Sequence, residues 1–225
     1  MPALQINRWW IIVLGLLIVC LGTQCGREEA TTGQTVCKGI VADDPCTPPC
    51  WQMITPGEVM TRQEVTTFLE QLPNVSWFHE VEVRAGAGFM WGWKSVNGYN
   101  FIYLNGENEE SVVTGISLSV DCDLTVEEIL QKYGDPNFVN GWLVTEPGPL
   151  HVRLNLWYPL QGLHFVIRVK PVDPPILEPT TPVLEVSYSL PETSLDEWQK
   201  RFDPDIVVLY PWPGYGELGA PFLQP

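Results

Sequence analysis

Positive charge is scarce in this chain: 12 Lys and Arg stand against 27 Asp and Glu, a formal net charge of −15. So acidic a surface repels a phosphate backbone instead of neutralising it, which argues against nucleic acid as a partner. Charge of either sign is thin, at 17% of residues, while aromatic side chains reach 11% with ten Trp. That balance points to strands and aromatic-rich surfaces more than to charged helices. Catalytic signatures are missing too. The chain carries no Gly-x-Ser-x-Gly elbow, no HExxH and no phosphate-binding glycine loop, so covalent and metal-assisted hydrolysis lack a motif. The expectation is a non-enzymatic protein without catalytic residues, cofactor or metal.

Long hydrophobic runs are also few. The one at the start, Trp9 to Leu21, has thirteen residues, preceded by Arg8 and followed by Gly22, Thr23 and Gln24. A helix crossing the hydrocarbon core needs about 20 apolar residues, so this anatomy fits a signal peptide, with a retained membrane anchor as the second reading. Residues 1–24 are assigned to that segment. Cys25 and Gly26 follow it, where a bacterial lipoprotein carries its lipidated cysteine, with Gln24 and Gly22 at the preceding lipobox positions. Lipidation at Cys25, plain cleavage and an uncleaved anchor remain open. Arg8 is the one charged residue such a cleavage removes, so the exported part is more acidic still. The place expected for it is outside the cytoplasm, held to a bacterial envelope membrane by its N-terminus.

Outside the cytoplasm thiols oxidise, and four cysteines follow the leader: Cys37, Cys46, Cys50 and Cys122. Residues 25–52, rich in Thr, Gly, Asp and Pro, read as a stapled linker. No CxxC pair and no nearby His favours a tetrahedral metal site, so the cysteines are assigned to disulfides. Four cysteines allow three pairings; the preferred one joins Cys37 to Cys46 and Cys50 to Cys122.

The 225-residue chain is long enough to bury a sizeable core, and its plan repeats. Thr61 with Glu64, and Thr125 with Glu128, each spell a capping box ahead of an apolar helical face: Val65, Phe68, Leu69 and Leu72, then Val126, Ile129, Leu130 and Tyr133. Pro73 and Pro136 stop the helices. Alternation then predicts strands near residues 77–84, 89–94, 99–104 and 112–120, and again at 139–145, 151–158, 163–170 and 183–190. A Pro-rich excursion, Pro171 to Pro182, interrupts the second set, and a last short helix is expected over Ser194 to Phe202. The expected fold is α+β: two tandem helix-plus-antiparallel-sheet repeats, residues 53–121 and 122–202, with a loosely packed Pro-rich tail at 203–225.

The segment LTVEEILQKYGDPNFV, a capped helix ending in Gly-x-Pro and running into a sheet, resembles the SmpA/OmlA (BamE-like) lipoprotein family. The tandem plan is similar to the fold of β-lactamase inhibitory protein, and PCTPPCWQMITPGEV resembles segments in lipoproteins of Chloroflexi-type bacteria. These resemblances imply scaffolding or protein binding at an envelope.

Among candidate sites, His151 and His164 lie in neighbouring predicted strands and could face each other across a hairpin, but no carboxylate or thiol stands at ligand spacing beside them or His79. Glu107, Glu109 and Glu110, with Asn105 and Asn108, read as a solvated hairpin tip, since the calcium-loop order is absent. The aromatics are the stronger lead. Trp91 and Trp93 share one face of their strand, and with Tyr99 and Phe101 they form either a core or a candidate binding face. Two functions follow: binding of another envelope protein, or stacking of a carbohydrate or other small ligand on exposed Trp rings.

Overall fold

A computed structural model describes residues 32–222 apart from positions 44, 73, 74, 76, 85–87, 96, 97, 107–109, 145–150, 171–173 and 204–206. The apolar run Trp9 to Leu21 and Cys25 lie outside the described residues, as do Glu107, Asn108 and Glu109. The chain begins with helix α1 (Thr32–Ala42) and strand β1 (Val59–Thr61), then α2 (Arg62–Gln71) and the strands β2 (Phe78–Arg84), β3 (Gly88–Lys94), β4 (Tyr99–Asn105) and β5 (Glu110–Ser119). Next come α3 (Val126–Tyr133), β6 (Phe138–Val144), β7 (His151–Tyr158), β8 (Leu163–Val169), β9 (Ile176–Leu177), β10 (Val183–Ser189), α4 (Leu195–Gln199) and β11 (Gly216–Glu217).

The capping boxes form as written. Thr61 Oγ1 accepts the Glu64 amide at 3.1 Å while Glu64 Oε2 accepts the Thr61 amide at 2.7 Å, and Thr125 with Glu128 does the same at 3.4 and 2.9 Å. Val65, Leu69, Val126 and Ile129 are fully buried, and Phe68, Leu72, Leu130 and Tyr133 pack beside them. Helix α3 ends at Gly134, whose amide donates to the Leu130 carbonyl at 2.9 Å.

The arrangement of these elements corrects the expected tandem α+β repeats. All long strands belong to one nine-stranded antiparallel sheet, ordered β2-β3-β4-β5-β10-β8-β7-β6, with β1 added beside β5. The last strands of the two meanders, β5 and β10, pair with each other from Ser119 opposite Glu185 to Gly115 opposite Ser189. That pairing removes two edges and makes the core continuous, so the chain is mostly sheet with a few short helices rather than two helix-covered units. One buried row crosses the seam: Trp91, Ile102, Ile116, Tyr188, Leu163 and Tyr158 stand opposite one another in turn. Helices α1, α2 and α3 and the segment holding Trp51 and Ile54 contribute to the core on that side.

Two further expectations are corrected. The linker contains helix α1, which buries Val36 and Ile40, and its Cys37 is joined to Cys122; Cys46 is joined to Cys50. The bridge ties this helix to the segment ahead of α3, and at the C-terminal end of α3 the Ile40 carbonyl accepts the Tyr133 hydroxyl at 3.0 Å and Asp43 pairs with Lys132 at 2.5 Å. The tail is not loose. Val139 and Tyr210 exchange both backbone hydrogen bonds at 2.7 Å, β11 pairs with β9, and Leu218 and Phe222 are buried. The described end of the Pro-rich excursion is likewise packed down, because the carbonyls of Thr181 and Pro179 accept the first free amides of α3, from Val126 and Glu127, both at 3.0 Å.

Candidate binding face

Strand alternation divides the aromatic residues between the two faces of the sheet. Trp91 pairs with Ile102 and Trp93 with Asn100, so both Trp rings point to the core side, where neither is exposed. Trp93 stacks on Trp51 at 5.5 Å, and Trp51 meets Phe68 edge-on at 5.7 Å. Tyr99 and Phe101 therefore point the other way. The four residues grouped from the sequence do not form one surface: Trp91 and Trp93 are core, and Tyr99 and Phe101 belong to the outer face.

On that outer face Tyr99, Phe101 and Tyr103 run along β4 with ring centroids 6.4 and 6.0 Å apart, within the range of offset aromatic pairs. Phe101 is able to lean across the neighbouring strand because Gly92 stands opposite it: a Cβ there would lie 3.0 Å from the Phe101 ring. Tyr99 is 58% exposed, and Val81 and the half-buried Met90 lie beside Tyr103 in the cross-strand row. Trp77, 63% exposed, stacks on His79 at the β2 end.

The middle of the face is polar. Ser117 Oγ donates to Glu185 Oε1 at 2.7 Å, and the Arg153 guanidinium reaches Glu185 Oε2 at 3.1 Å. Arg153 also lies 5.9 Å from the Trp142 ring, at the limit of a cation–π contact. Burial, and secondarily the Glu185 charge, push the Tyr103 phenol above its usual range. These groups come from β4, β5, β6, β7 and β10, joined only by the register. Tyr103 extends the visible Tyr99–Phe101 alternation, but the Arg153–Glu185 pair, 32 residues apart, has no signal in the sequence.

At the far end the same face is covered. A single row crosses the whole sheet: His79, Gly92, Phe101, Ser117, Ser187, His164, Trp157 and Phe138. Helix α4 lies over its Phe138 end. Trp198 stacks on Phe138 at 5.5 Å and meets Trp157 at 5.3 Å, and Phe202 closes on Trp157 at 5.7 Å. Ser194 caps this helix, and Arg201 clamps to Glu192 through both carboxylate oxygens. The outer face is thus covered at its Phe138–Trp157 end and, among the described residues, uncovered over β2 to β4.

The histidines do not converge. His164 stands opposite Trp157, whereas His151 stands opposite Val144 at the other end of β7. Among the described residues no group of three or more His, Cys, Asp or Glu is placed to hold a metal ion. Two clefts lie elsewhere. One of about 460 Å³ opens between α2 and β2, lined by Thr61, Arg62, Gln63, Thr66 and Glu80. Another of about 370 Å³ lies beside the Pro-rich excursion and includes Arg168, Lys170, Ile176, Glu178 and Thr181.

The two disulfides place the protein in an oxidising, extracytoplasmic environment. No helix among the described residues is long and apolar enough to cross a membrane. No known protein family, characterised protein or solved structure matches the chain.

Proposed function

We propose that this is a non-enzymatic protein of the bacterial cell envelope, held there by its N-terminal segment through lipidation of Cys25, and that it binds another envelope protein on the bare half of its outer sheet face. One observation carries the reading: α4 seals the aromatic row at Phe138 and Trp157, while Tyr99, Phe101, Tyr103, Met90 and Val81 lack such a cover among the described residues. Apolar and aromatic anchors beside a paired Arg153–Glu185 have the make-up of a protein interface, with rings and an arginine near a polar rim. A carbohydrate partner would need exposed ring faces. Here the ring faces of Trp91 and Trp93 are spent in the core, and the three rings of β4 contact one another.

Site-specific photocrosslinking in the intact envelope tests this. A photoreactive residue at Tyr99 should give one discrete protein adduct, absent when the same residue replaces Gln161 and lost on Tyr103→Asp. Equal labelling from both positions, or retention on polysaccharide that Tyr99→Ala and Tyr103→Ala abolish, would overturn it in favour of diffuse contact or a sugar ligand. Intact mass with and without Cys25→Ala checks the anchor separately.

A further inference from the structure

The 370 Å³ cleft beside the Pro-rich excursion is framed by two short extended runs that do not pair with each other. At the end of β8, Val169 is buried, so Arg168 and Lys170 on either side of it are both turned outward and exposed. At β9, Leu177 is buried, and Ile176 and Glu178 are turned outward in the same way. All four outward residues line the cleft.

Different parts of the fold hold the two walls. Arg168 belongs to the main sheet, where it stands opposite Arg153 of β7. The wall of Ile176 and Glu178 is pinned elsewhere: β9 pairs with β11, and the Pro175 carbonyl accepts the Leu218 amide at 2.8 Å. Glu178 and Thr181 then close a turn. The Glu178 carbonyl accepts the Thr181 amide at 3.0 Å, and Thr181 Oγ1 accepts the Glu178 amide at 3.1 Å. The bonds from α3 to Pro179 and Thr181 fix that turn in place.

The charges in this cleft are left unmatched. Arg153 is taken by Glu185, so Arg168 faces another cation across the strands rather than a carboxylate. Among the described residues Arg168, Lys170 and Glu178 form no ion pair, although all three line one cleft. With 27 acidic residues to 12 basic ones, carboxylates are in excess, so two neighbouring cations without one mark a place that the fold keeps clear of them. Opposite charges held apart on two anchored walls, with the exposed Ile176 beside them, complement a molecule that carries both charges and an apolar part.

We infer that this cleft binds a small zwitterion of the amino-acid or short-peptide class. Its carboxylate lies on the Arg168 guanidinium with Lys170 beside it, its ammonium group meets Glu178, and its apolar side chain rests on Ile176. Arginine suits the first role because its planar fork matches a carboxylate through two parallel hydrogen bonds. The volume is at the small end of the range for ligand clefts, which fits a ligand of this size. The site is separate from the aromatic face and goes beyond the function proposed above.

The probes are leucine, alanylleucine, and two blocked copies of alanylleucine, one N-acetylated and one C-amidated, titrated calorimetrically into the exported chain. At least one of the two free zwitterions should bind, and each blocked copy should bind about tenfold more weakly than free alanylleucine, or leucine blocked likewise should do so if leucine is the ligand. Arg168 and Glu178 are exposed and make no side-chain hydrogen bond among the described residues, so Arg168→Gln and Glu178→Gln should keep the fold. In Arg168→Gln the penalty for amidation should vanish while that for acetylation stays, and in Glu178→Gln the reverse should hold. Binding of neither free zwitterion, equal binding of either blocked copy, or penalties unchanged in the two folded variants would overturn the inference.

Discussion

His164 lies flat on Trp157, the ring centroids 3.8 Å apart and the planes 6° from parallel. Although the residue as a whole is only half-buried, its Nε2 is shut away from solvent and has no hydrogen-bond partner among the described residues. Burial, and then the nearby Arg153 charge, hold its pKa down at about 3. An unfolded imidazole titrates near ~6.5. Between those values the unfolded chain binds the extra proton, so stability is lost as pH falls through that window. The slope from this residue is at most about 1.4 kcal/mol per pH unit. Urea unfolding at neutral and acid pH should show His164→Phe, which keeps the stack, losing less stability on acidification than the parent. Equal losses would rule out the assignment.

The two disulfides should differ in weight. Cys37–Cys122 closes a loop with a separation of 85 residues and Cys46–Cys50 one of 4. On the chain-entropy view these are worth about 4–5 and about 2 kcal/mol respectively. Denaturant unfolding of the Cys37→Ala, Cys122→Ala and the Cys46→Ala, Cys50→Ala pairs measures the gap, and peptide mapping checks the pairing.

Much of the local structure is legible from residue pattern. The Thr61–Glu64 and Thr125–Glu128 boxes mark both helix starts, and alternation finds the eight long strands to within about two residues, the limit of such boundary readings. What pattern does not carry is which strands meet. Alternation says that Trp91 and Trp93 share a face, but only the Lys94–Tyr99 pairing that closes their hairpin shows that Tyr99 and Phe101 point the other way. The join of β5 to β10 is equally silent, because an edge strand and a central one read alike when both alternate. Helix α1 escapes notice because its apolar positions, Val36 and Ile40, are few and its segment is full of Gly and Thr. With α1 missed, the partner of Cys37 is missed too.

Gly162 should tolerate no side chain. It sits at φ 65° after the turn Pro159–Gln161, and a Cβ there would lie 2.2 Å from the Ser189 carbonyl oxygen, a backbone atom. Gly162→Ala combines left-handed strain with that overlap and should cost about 1–3 kcal/mol. Thermal unfolding reads it directly. Gly214→Ala, with nothing within 4 Å, should show conformational strain alone.

Phe222 anchors the tail, 5% exposed and edge-on to Tyr210 at 5.3 Å. Phe222→Ala should cost about 3–5 kcal/mol, the range for a buried Phe. Hydrogen exchange should then quicken at Val139 and Tyr210, whose mutual bonds the tail holds in place. A variant as stable as the parent would mean the tail contributes little to the fold.

On the outer face, Glu185→Gln removes the negative charge that helps hold the Tyr103 phenol up. Spectrophotometric titration should show that phenol moving down, while staying above its ordinary value because burial is the larger cause. Stability should change by less than about 1 kcal/mol, since Arg153 and Glu185 are both partly exposed.

The Cys37–Cys122 bridge also sets how the molecule carries load. Tension entering through residues before Thr32 arrives at Cys37, crosses the sulfur bridge and leaves at Cys122, just ahead of α3. Strands β2 to β5, with Tyr99, Phe101 and Tyr103 on their outer face, lie inside the closed covalent loop and are not in series with the pull. The 85-residue separation keeps about 300 Å of potential chain extension out of reach while the bridge is intact. Reduction would place that stretch in the line of force.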